Sequence, residues 1–335
     1  MRPTAEVEIE ESQRSHNGIF AVASIPFPRV RRVLGLLALA LVLAVPVAVA
    51  QRTTDPGKTR AVRFVYRAHD GRLRPAWLLL PSSYDGRPIP LVISPHGRGV
   101  SAAVNARFWG DLPGEGEFAV VNPGGEGRRL HQYSWGDPGE IDDLARMPAI
   151  VQRLGVRVDR HRVYAIGGSM VGQETLLLVA QHPALLAGAV AFDPATDMAR
   201  RYRDFAHLRD GRTLQRLARI EFGGTPSQVP GAYRERSPDA YPDAIAFSGV
   251  PLQIYWSVRD RIIFDQVDEA ALLAAEIRSL NPAAQLWDFE GAWDHTAEMQ
   301  STHRLPRALA RFGLLPAGDV PSLGRRTRPA PLPTV

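Results

Sequence analysis

A serine directly after two glycines ends the apolar run Val163-Tyr164-Ala165-Ile166-Gly167-Gly168-Ser169-Met170. This is the composition of a strand that turns at once into a helix. Such a turn holds the serine hydroxyl above a sheet and at a helix N-terminus, whose dipole favours developing negative charge. A serine N-cap after a glycine turn is the plain alternative. The pattern departs from G-x-S-x-G, because Val171 stands where the second glycine is expected and Gly172 comes one position late. That departure predicts a looser helix–strand approach. A nucleophilic serine needs a base, and the base needs an orienting acid. Asp260 lies just past the apolar run Leu252–Ser257, and His295 follows Leu286-Trp287-Asp288-Phe289 in the same way. The order Ser169, Asp260, His295, each after a predicted strand, is that of a Ser-His-Asp triad on an open α/β sheet. Asp193 and Asp294 compete as the acid. His303 is a weaker base candidate, two turns into the predicted last helix. A further strand runs into Pro95-His96-Gly97-Arg98-Gly99, a loop whose backbone N–H groups can face the serine. The N–H groups of Met170 and Arg98 are the expected oxyanion donors, each of a kind that contributes about 3–4 kcal/mol to the transition state. His96 itself reads as a residue that fixes this loop by hydrogen bonding.

The elements that must position these groups are legible as alternating runs. Strands are predicted at 61–67, 73–80, 91–95, 118–122, 163–167, 188–192, 252–257 and 285–289. Helical spacing of apolar residues covers 138–154, 170–182, 265–280 and 296–312. Continuously apolar strands such as Leu91-Val92-Ile93 imply burial on both faces. The alternation predicts an α/β chain with a mostly parallel eight-stranded sheet and helices on both faces. The first two strands, joined by His69-Asp70-Gly71, read as an antiparallel hairpin at the sheet edge. Residues 194–250 separate two strands by more than a crossover requires, and are read as an excursion or partial lid over the carboxyl end of the sheet. The Pro-rich tail 315–335 is read as disordered. The catalytic domain is therefore expected to span 51–314.

Composition narrows the function. There is no cysteine, which excludes thiolate zinc sites, disulfide scaffolds and cysteine nucleophiles. The formal net charge is +5, but Lys58 is the only lysine and the arginines are scattered among acids, so no nucleic-acid footprint is predicted. No G-x-G-x-x-G, P-loop or His-Glu-x-x-His pattern occurs, and neither cofactor nor metal is expected. The acids of Asp137-Pro138-Gly139-Glu140-Ile141-Asp142-Asp143 do not follow calcium-loop spacing and read as helix N-terminal acids. Phe108, Trp109, Trp135 and Trp293 are placed in loops at the sheet's carboxyl end, where some are expected to line an acyl or aromatic pocket. Arg29, Arg31 and Arg32 precede an uncharged run from Val33 to Ala-Val-Ala at 48–50. This is the pattern of a secretory signal in residues 1–50, cleaved after Ala50; an uncleaved run of this length would instead anchor the chain to a membrane.

With the serine turn, the His-Gly-x-Gly loop and the ordered acid and histidine, residues 61–312 resemble the α/β-hydrolase superfamily. The resemblance is greatest to the catalytic domain of prolyl oligopeptidase-like serine hydrolases and their esterase relatives. Phe222-Gly223-Gly224-Thr225-Pro226 and Ala232-Tyr233-Arg234-Glu235-Arg236-Ser237-Pro238 resemble the stretch before the acid-bearing strand in that group. Only residues 51–60 precede the first predicted strand, which leaves no room in the given sequence for the gating propeller of such peptidases. The resemblance implies a serine hydrolase working through an acyl-enzyme, and with the N-terminal signal pattern and no propeller the expectation is an exported enzyme acting on a small carboxylic ester. The alternatives are a peptidase acting on short peptides and a non-catalytic binding protein on the same scaffold.

Overall fold

The eight predicted strands form one sheet because their apolar runs serve two cores at once. The structure, a computed structural model, describes residues 57–300 and 304–316. All of these belong to the unit Arg52–Val335. The expected export segment, its cleavage site after Ala50, His303 and the tail beyond residue 316 lie outside the described residues. The strands are β1 (Thr59–Arg67), β2 (Leu73–Pro81), β3 (Ile89–Ile93), β4 (Ala119–Pro123), β5 (Val158–Gly168), β6 (Gly188–Phe192), β7 (Leu252–Ser257) and β8 (Leu286–Gly291). Their spatial order is β1-β2-β4-β3-β5-β6-β7-β8. β1 and β2 pair antiparallel through the expected hairpin, β2 pairs antiparallel with β4, and the other pairings are parallel.

Successive side chains of a strand point to opposite faces, and here both faces are covered. Leu91, Ile93, Val163, Ala165, Ala189, Ala191, Leu252 and Ile254 enter one core with the helices Pro138–Arg153, Met170–Gln181 and Leu272–Leu280. Their neighbours Val92, Tyr164, Ile166, Val190, Phe192 and Tyr255 enter the other with Ala106, Trp109, Leu305 and Leu309. Every residue of β3, β4, β6 and β7 is buried, as the unbroken apolar runs require. The parallel registers align Gly168 with Phe192, Phe192 with Tyr255, and Ser257 with Gly291. The residues that follow β5, β6, β7 and β8 therefore emerge at one edge of the sheet.

One helix differs from its expected span. The single helix predicted at 265–280 begins as a π-helical turn, Val267–Ala271, before Leu272–Leu280. Glu269 in this turn is buried and accepts hydrogen bonds from Thr196 N, Thr196 Oγ1 and Asp197 N, so the wide turn ties this segment to the loop after β6. Of the last predicted helix, Ala297–Gln300 and Arg304–Arg311 are helical, and residues 301–303 lie outside the described residues. Residues 194–250 fold into short helices, including Met198–Asp204, Gly211–Phe222 and Pro230–Glu235. These build a third core in which Met198, Phe205, Phe222 and Tyr233 join Trp135, Met170 and Ile263. Among the described residues no helix is long and apolar enough to cross a membrane.

Candidate active site

Ser169 sits between β5 and the helix Met170–Gln181 with φ +61° and ψ −125°. A non-glycine residue reaches this left-handed region only under strain, and such strain concentrates at functional turns. The turn is held by Ser169 N donating to Phe192 O at 2.9 Å and by Gln173 N donating to Ser169 O at 3.0 Å. The looser packing expected from Val171 does not occur. A Cβ on Gly167 would stand 1.9 Å from Val171 Cγ1, and one on Gly172 would stand 3.1 Å from Pro194 Cβ. The absent glycine at 171 is thus compensated by glycines at 167 and 172, and helix and strand approach closely after all.

His295 reaches the same edge on a loop with several fastenings. Ser257 Oγ donates to Trp293 O at 2.5 Å and accepts from Trp293 N at 2.8 Å. The Trp293 ring folds back on Gly291, where a Cβ would lie 1.8 Å from it. Asp193 Oδ2 then accepts from Trp293 Nε1 at 2.9 Å and from Thr296 N at 2.8 Å, gripping the chain on both sides of the histidine. His295 Nδ1 bonds Asp260 Oδ2 at 2.7 Å. The other Asp260 oxygen accepts from Ile262 N and Ile263 N at 2.8 and 3.0 Å. Burial acts to raise the Asp260 carboxyl, but the His295 bond and charge and these two N–H groups outweigh it and hold the group below the usual carboxylate range. Asp193 is pushed the other way, to about 6, by burial first; the bonds from Trp293 and Thr296 oppose that rise, and the Asp260 charge adds to it. The two competing acids thus have separate tasks. Asp260 bonds the imidazole and Asp193 holds its loop, while Asp294 is exposed.

One oxygen of each of Asp193 and Asp260 and one His295 nitrogen lie within 4.8 Å of one another. At 2.7 Å the Asp260 and His295 atoms stand at hydrogen-bond distance, closer than the about 3.4 Å that two ligands of a tetrahedral ion bound at about 2.1 Å would keep. Ser169, His295, Gly97 and Arg98 line one cavity of about 470 Å³, together with apolar side chains including Val104 and Phe108. Ser169 Oγ and the imidazole share this cavity without a hydrogen bond between them; in serine hydrolases that bond often tightens only around substrate. His96 is buried and bonds Gly125 O at 2.7 Å and Gly97 O at 3.0 Å, which fixes the loop carrying Arg98 as expected. Met170 is the first residue of its helix, so its N–H has no intrahelical acceptor.

The four aromatics divide. Phe108 ends a helix, Ala102–Phe108, rather than lying in a loop, and lines the cavity. Trp135 faces Ser169 from a second, narrower cleft. Trp109 and Trp293 are core residues whose indole N–H groups are bonded to Ser94 Oγ and Asp193. Asp137 caps the helix Pro138–Arg153 through Gly139 N and pairs with the buried Arg236. Arg201 was not singled out from the sequence, although it lies against Ser169's narrow cleft. Its signal is spacing: Met198, Arg201 and Phe205 recur at i, i+3 and i+7, which places the arginine on the apolar face of its helix.

The model of the prolyl oligopeptidase family matches residues 117–309, more than half of the chain. The chain belongs to the prolyl oligopeptidase family. That family consists of serine hydrolases with the α/β-hydrolase fold, and the eight-stranded sheet of this chain has that fold. No curated protein matches the sequence. Solved structures similar to it include the Pyrococcus horikoshii acylaminoacyl peptidase, with a TM-score of 0.59 at 15% identity over 78% of this chain and 43% of that one. A puromycin-hydrolyzing peptidase of Mycobacterium tuberculosis gives 0.57 at 19% identity, over 76% of this chain and 39% of its own. The fluorophosphonate-binding serine hydrolase FphF of Staphylococcus aureus gives 0.56 at 16% identity, over 77% of this chain and 99% of its own. At these identities the likeness is one of fold. The chain spans less than half the length of the two peptidases.

Proposed function

We propose that this family member is a serine peptidase acting on short peptides, with Ser169 as nucleophile, His295 as general base and acid, and Asp260 as the group that orients the imidazole. The 2.7 Å bond from His295 Nδ1 to Asp260, on a cavity shared with Ser169, carries this reading. With Nδ1 donating to Asp260, Nε2 is free to take the Ser169 proton. Ser169 Oγ then bonds the scissile carbonyl carbon, and the developing oxyanion takes N–H bonds from Met170 and Arg98. His295 returns the proton to the leaving amine as the C–N bond breaks. Water, deprotonated by the same imidazole, releases the acyl group and restores Ser169. Family membership favours an amide over the carboxylic ester as the natural bond, so the peptide reading takes first place. The apolar side of the cavity would accept a small acyl ester as a second substrate class. The charged run before Val33 and the Ala-Val-Ala site at 48–50 support action outside the cytoplasm; N-terminal sequencing of exported protein tests cleavage after Ala50. The activity test compares the natural chain with Ser169→Ala on short peptides, including proline-containing ones, and on p-nitrophenyl acetate, with fluorophosphonate labelling as a count of active sites. Labelling and turnover should both vanish in the variant. Turnover that survives it would sink the assignment.

A further inference from the structure

Besides the large cavity, a narrow cleft opens on Ser169, bounded by Arg98, Trp135, Met170, Arg201 and Ile263. It has room for about one water-sized group, about 10 Å³. Arg98 lines both spaces. The two guanidinium groups converge on one ring: Arg98 Cζ lies 5.6 Å and Arg201 Cζ 4.6 Å from the Phe205 centroid. Arg201 is 4% exposed, and Arg98 Nη1 is buried with no hydrogen-bond partner. Arg201 Nη1 donates to Ile262 O, a neutral acceptor.

Buried cations are normally paired, because their charge is costly away from water. The other buried arginines among the described residues obey that rule. Arg74 pairs with Asp70 and Glu140 at 3.0 Å each, and Arg236 pairs with Asp137 and Glu221 at 2.7 and 3.1 Å. Among the described residues, neither Arg98 nor Arg201 has a carboxylate within 4.0 Å. The acids that act on Arg201 from a distance have other duties: Glu269 is bonded to Thr196, and Asp260 to His295. Asp204 adds a weaker pull still than Glu269. Burial, and then the repulsion of Arg98, lower the Arg201 group to about 10, outweighing all three acids. Two like charges thus share one ring beside the proposed nucleophile, Arg201 buried and Arg98 partly so, and neither has a carboxylate in direct contact. An arriving anion would relieve both the repulsion and the missing bonds, and the planar fork of guanidinium suits a carboxylate.

We propose that Arg98 and Arg201 bind a carboxylate of the substrate beside the bond that Ser169 attacks. The inference rests on the reading of Ser169 as nucleophile. The body of the substrate occupies the large cavity, and its carboxylate enters the mouth of the cleft as the Arg98 side chain, held there by Phe205, gives way. The carboxylate belongs either to an Asp or Glu side chain next to the scissile bond or to a peptide C-terminus.

The full chain is assayed on matched fluorogenic peptides. One arm compares Glu with Gln and Asp with Asn at the residue supplying the scissile carbonyl; the other compares a free C-terminal carboxylate with its amide. In one of the arms the charged member should be preferred about 10- to 100-fold in kcat/KM, the range expected when a hydrogen bond to a charged group is gained. The arm showing the preference identifies the source of the carboxylate. Arg201→Met should bring that ratio close to one and Arg201→Lys should restore part of it. Arg203→Ala, on the exposed side of the same helix, should leave it unchanged. A role confined to supporting Ile262 would alter both members of a pair equally. If Arg201→Met fails to fold, the natural chain still decides: equal rates within every pair, with Ser169 fully labelled by fluorophosphonate, overturn the carboxylate site and leave the nucleophile standing. Loss of labelling together with all turnover overturns the reading of Ser169, and the cleft proposal with it.

Discussion

Replacing Asp260 by Asn removes a charge and almost no volume, so its effect can be worked out from the bonds the residue makes. Asp260 Oδ1 accepts from Ile262 N and Ile263 N at 2.8 and 3.0 Å, while Oδ2 faces His295 Nδ1 at 2.7 Å. In the variant the amide oxygen must stay with the two backbone donors. Turning the amide over would forfeit both bonds, at about 1 kcal/mol each, and set its NH₂ against two further N–H groups. The NH₂ therefore faces His295, which must present a lone pair at Nδ1 and carry its proton on Nε2. That tautomer cannot accept the proton of Ser169. The imidazolium formed in the transition state also loses its counter-charge. Together these effects predict a fall in kcat of about 10⁴, or about 5.5 kcal/mol of barrier. The assay is single-turnover and steady-state hydrolysis of the best peptide, with circular dichroism and melting temperature as controls for folding. Asp193→Asn serves as the paired comparison, because Asp193 grips the histidine loop through Trp293 and Thr296 without bonding the imidazole; it should lower kcat no more than about 30-fold, the effect of lost positioning at about 2 kcal/mol. If Asp260→Asn stays within tenfold of the natural chain, or Asp193→Asn is the more damaging change, the assignment of the acid is wrong.

Three further outcomes test the frame around the site. Gly167→Ala places a Cβ against Val171 and should destabilise the fold by about 1–3 kcal/mol through overpacking; chemical denaturation should show Val171→Gly in the double variant recovering part of the loss, and additive losses would refute the compensation between these positions. Arg236→Met strands the buried carboxylates of Asp137 and Glu221, and breaking such a pair costs about 3–5 kcal/mol. The melting temperature should fall by roughly 10 °C, with Glu221→Gln in the same chain restoring a portion; an unchanged melting point would mean that the pair contributes little. Asp193, raised to about 6 in the folded protein, should make stability fall as pH rises from about 4 to about 6. Across that window the unfolded chain has released the proton that the folded chain still holds, so folding loses up to about 3 kcal/mol by pH 7 at about 1.4 kcal/mol per pH unit. Urea midpoints at pH 4.5 and 7 should drop less steeply in Asp193→Asn, and parallel profiles would count against the raised carboxyl.

The sequence by itself determined which segments are strands and in what order the chemistry is carried. Runs such as Leu91-Val92-Ile93 and Gly188-Ala189-Val190-Ala191-Phe192 are apolar at every position, and only a sheet covered on both faces uses such a pattern. It also placed Ser169, Asp260 and His295 after three of those strands, and parallel pairing then brings successive strand ends to one edge. Tertiary structure alone decided what each group does there. Asp193 and Asp260 both follow strands, and only the path of the Trp293–Thr296 loop assigns one to the loop and the other to the imidazole. Val171 departs from the glycine pattern, and only the placement of Gly167 beneath it restores the close helix–strand approach. Arg201 is one of several arginines in its stretch, set apart by the ring and the second guanidinium that share its cleft. Burial and strand period are local properties that composition records, whereas the direction of a side chain at a loop end depends on neighbours tens or hundreds of residues away.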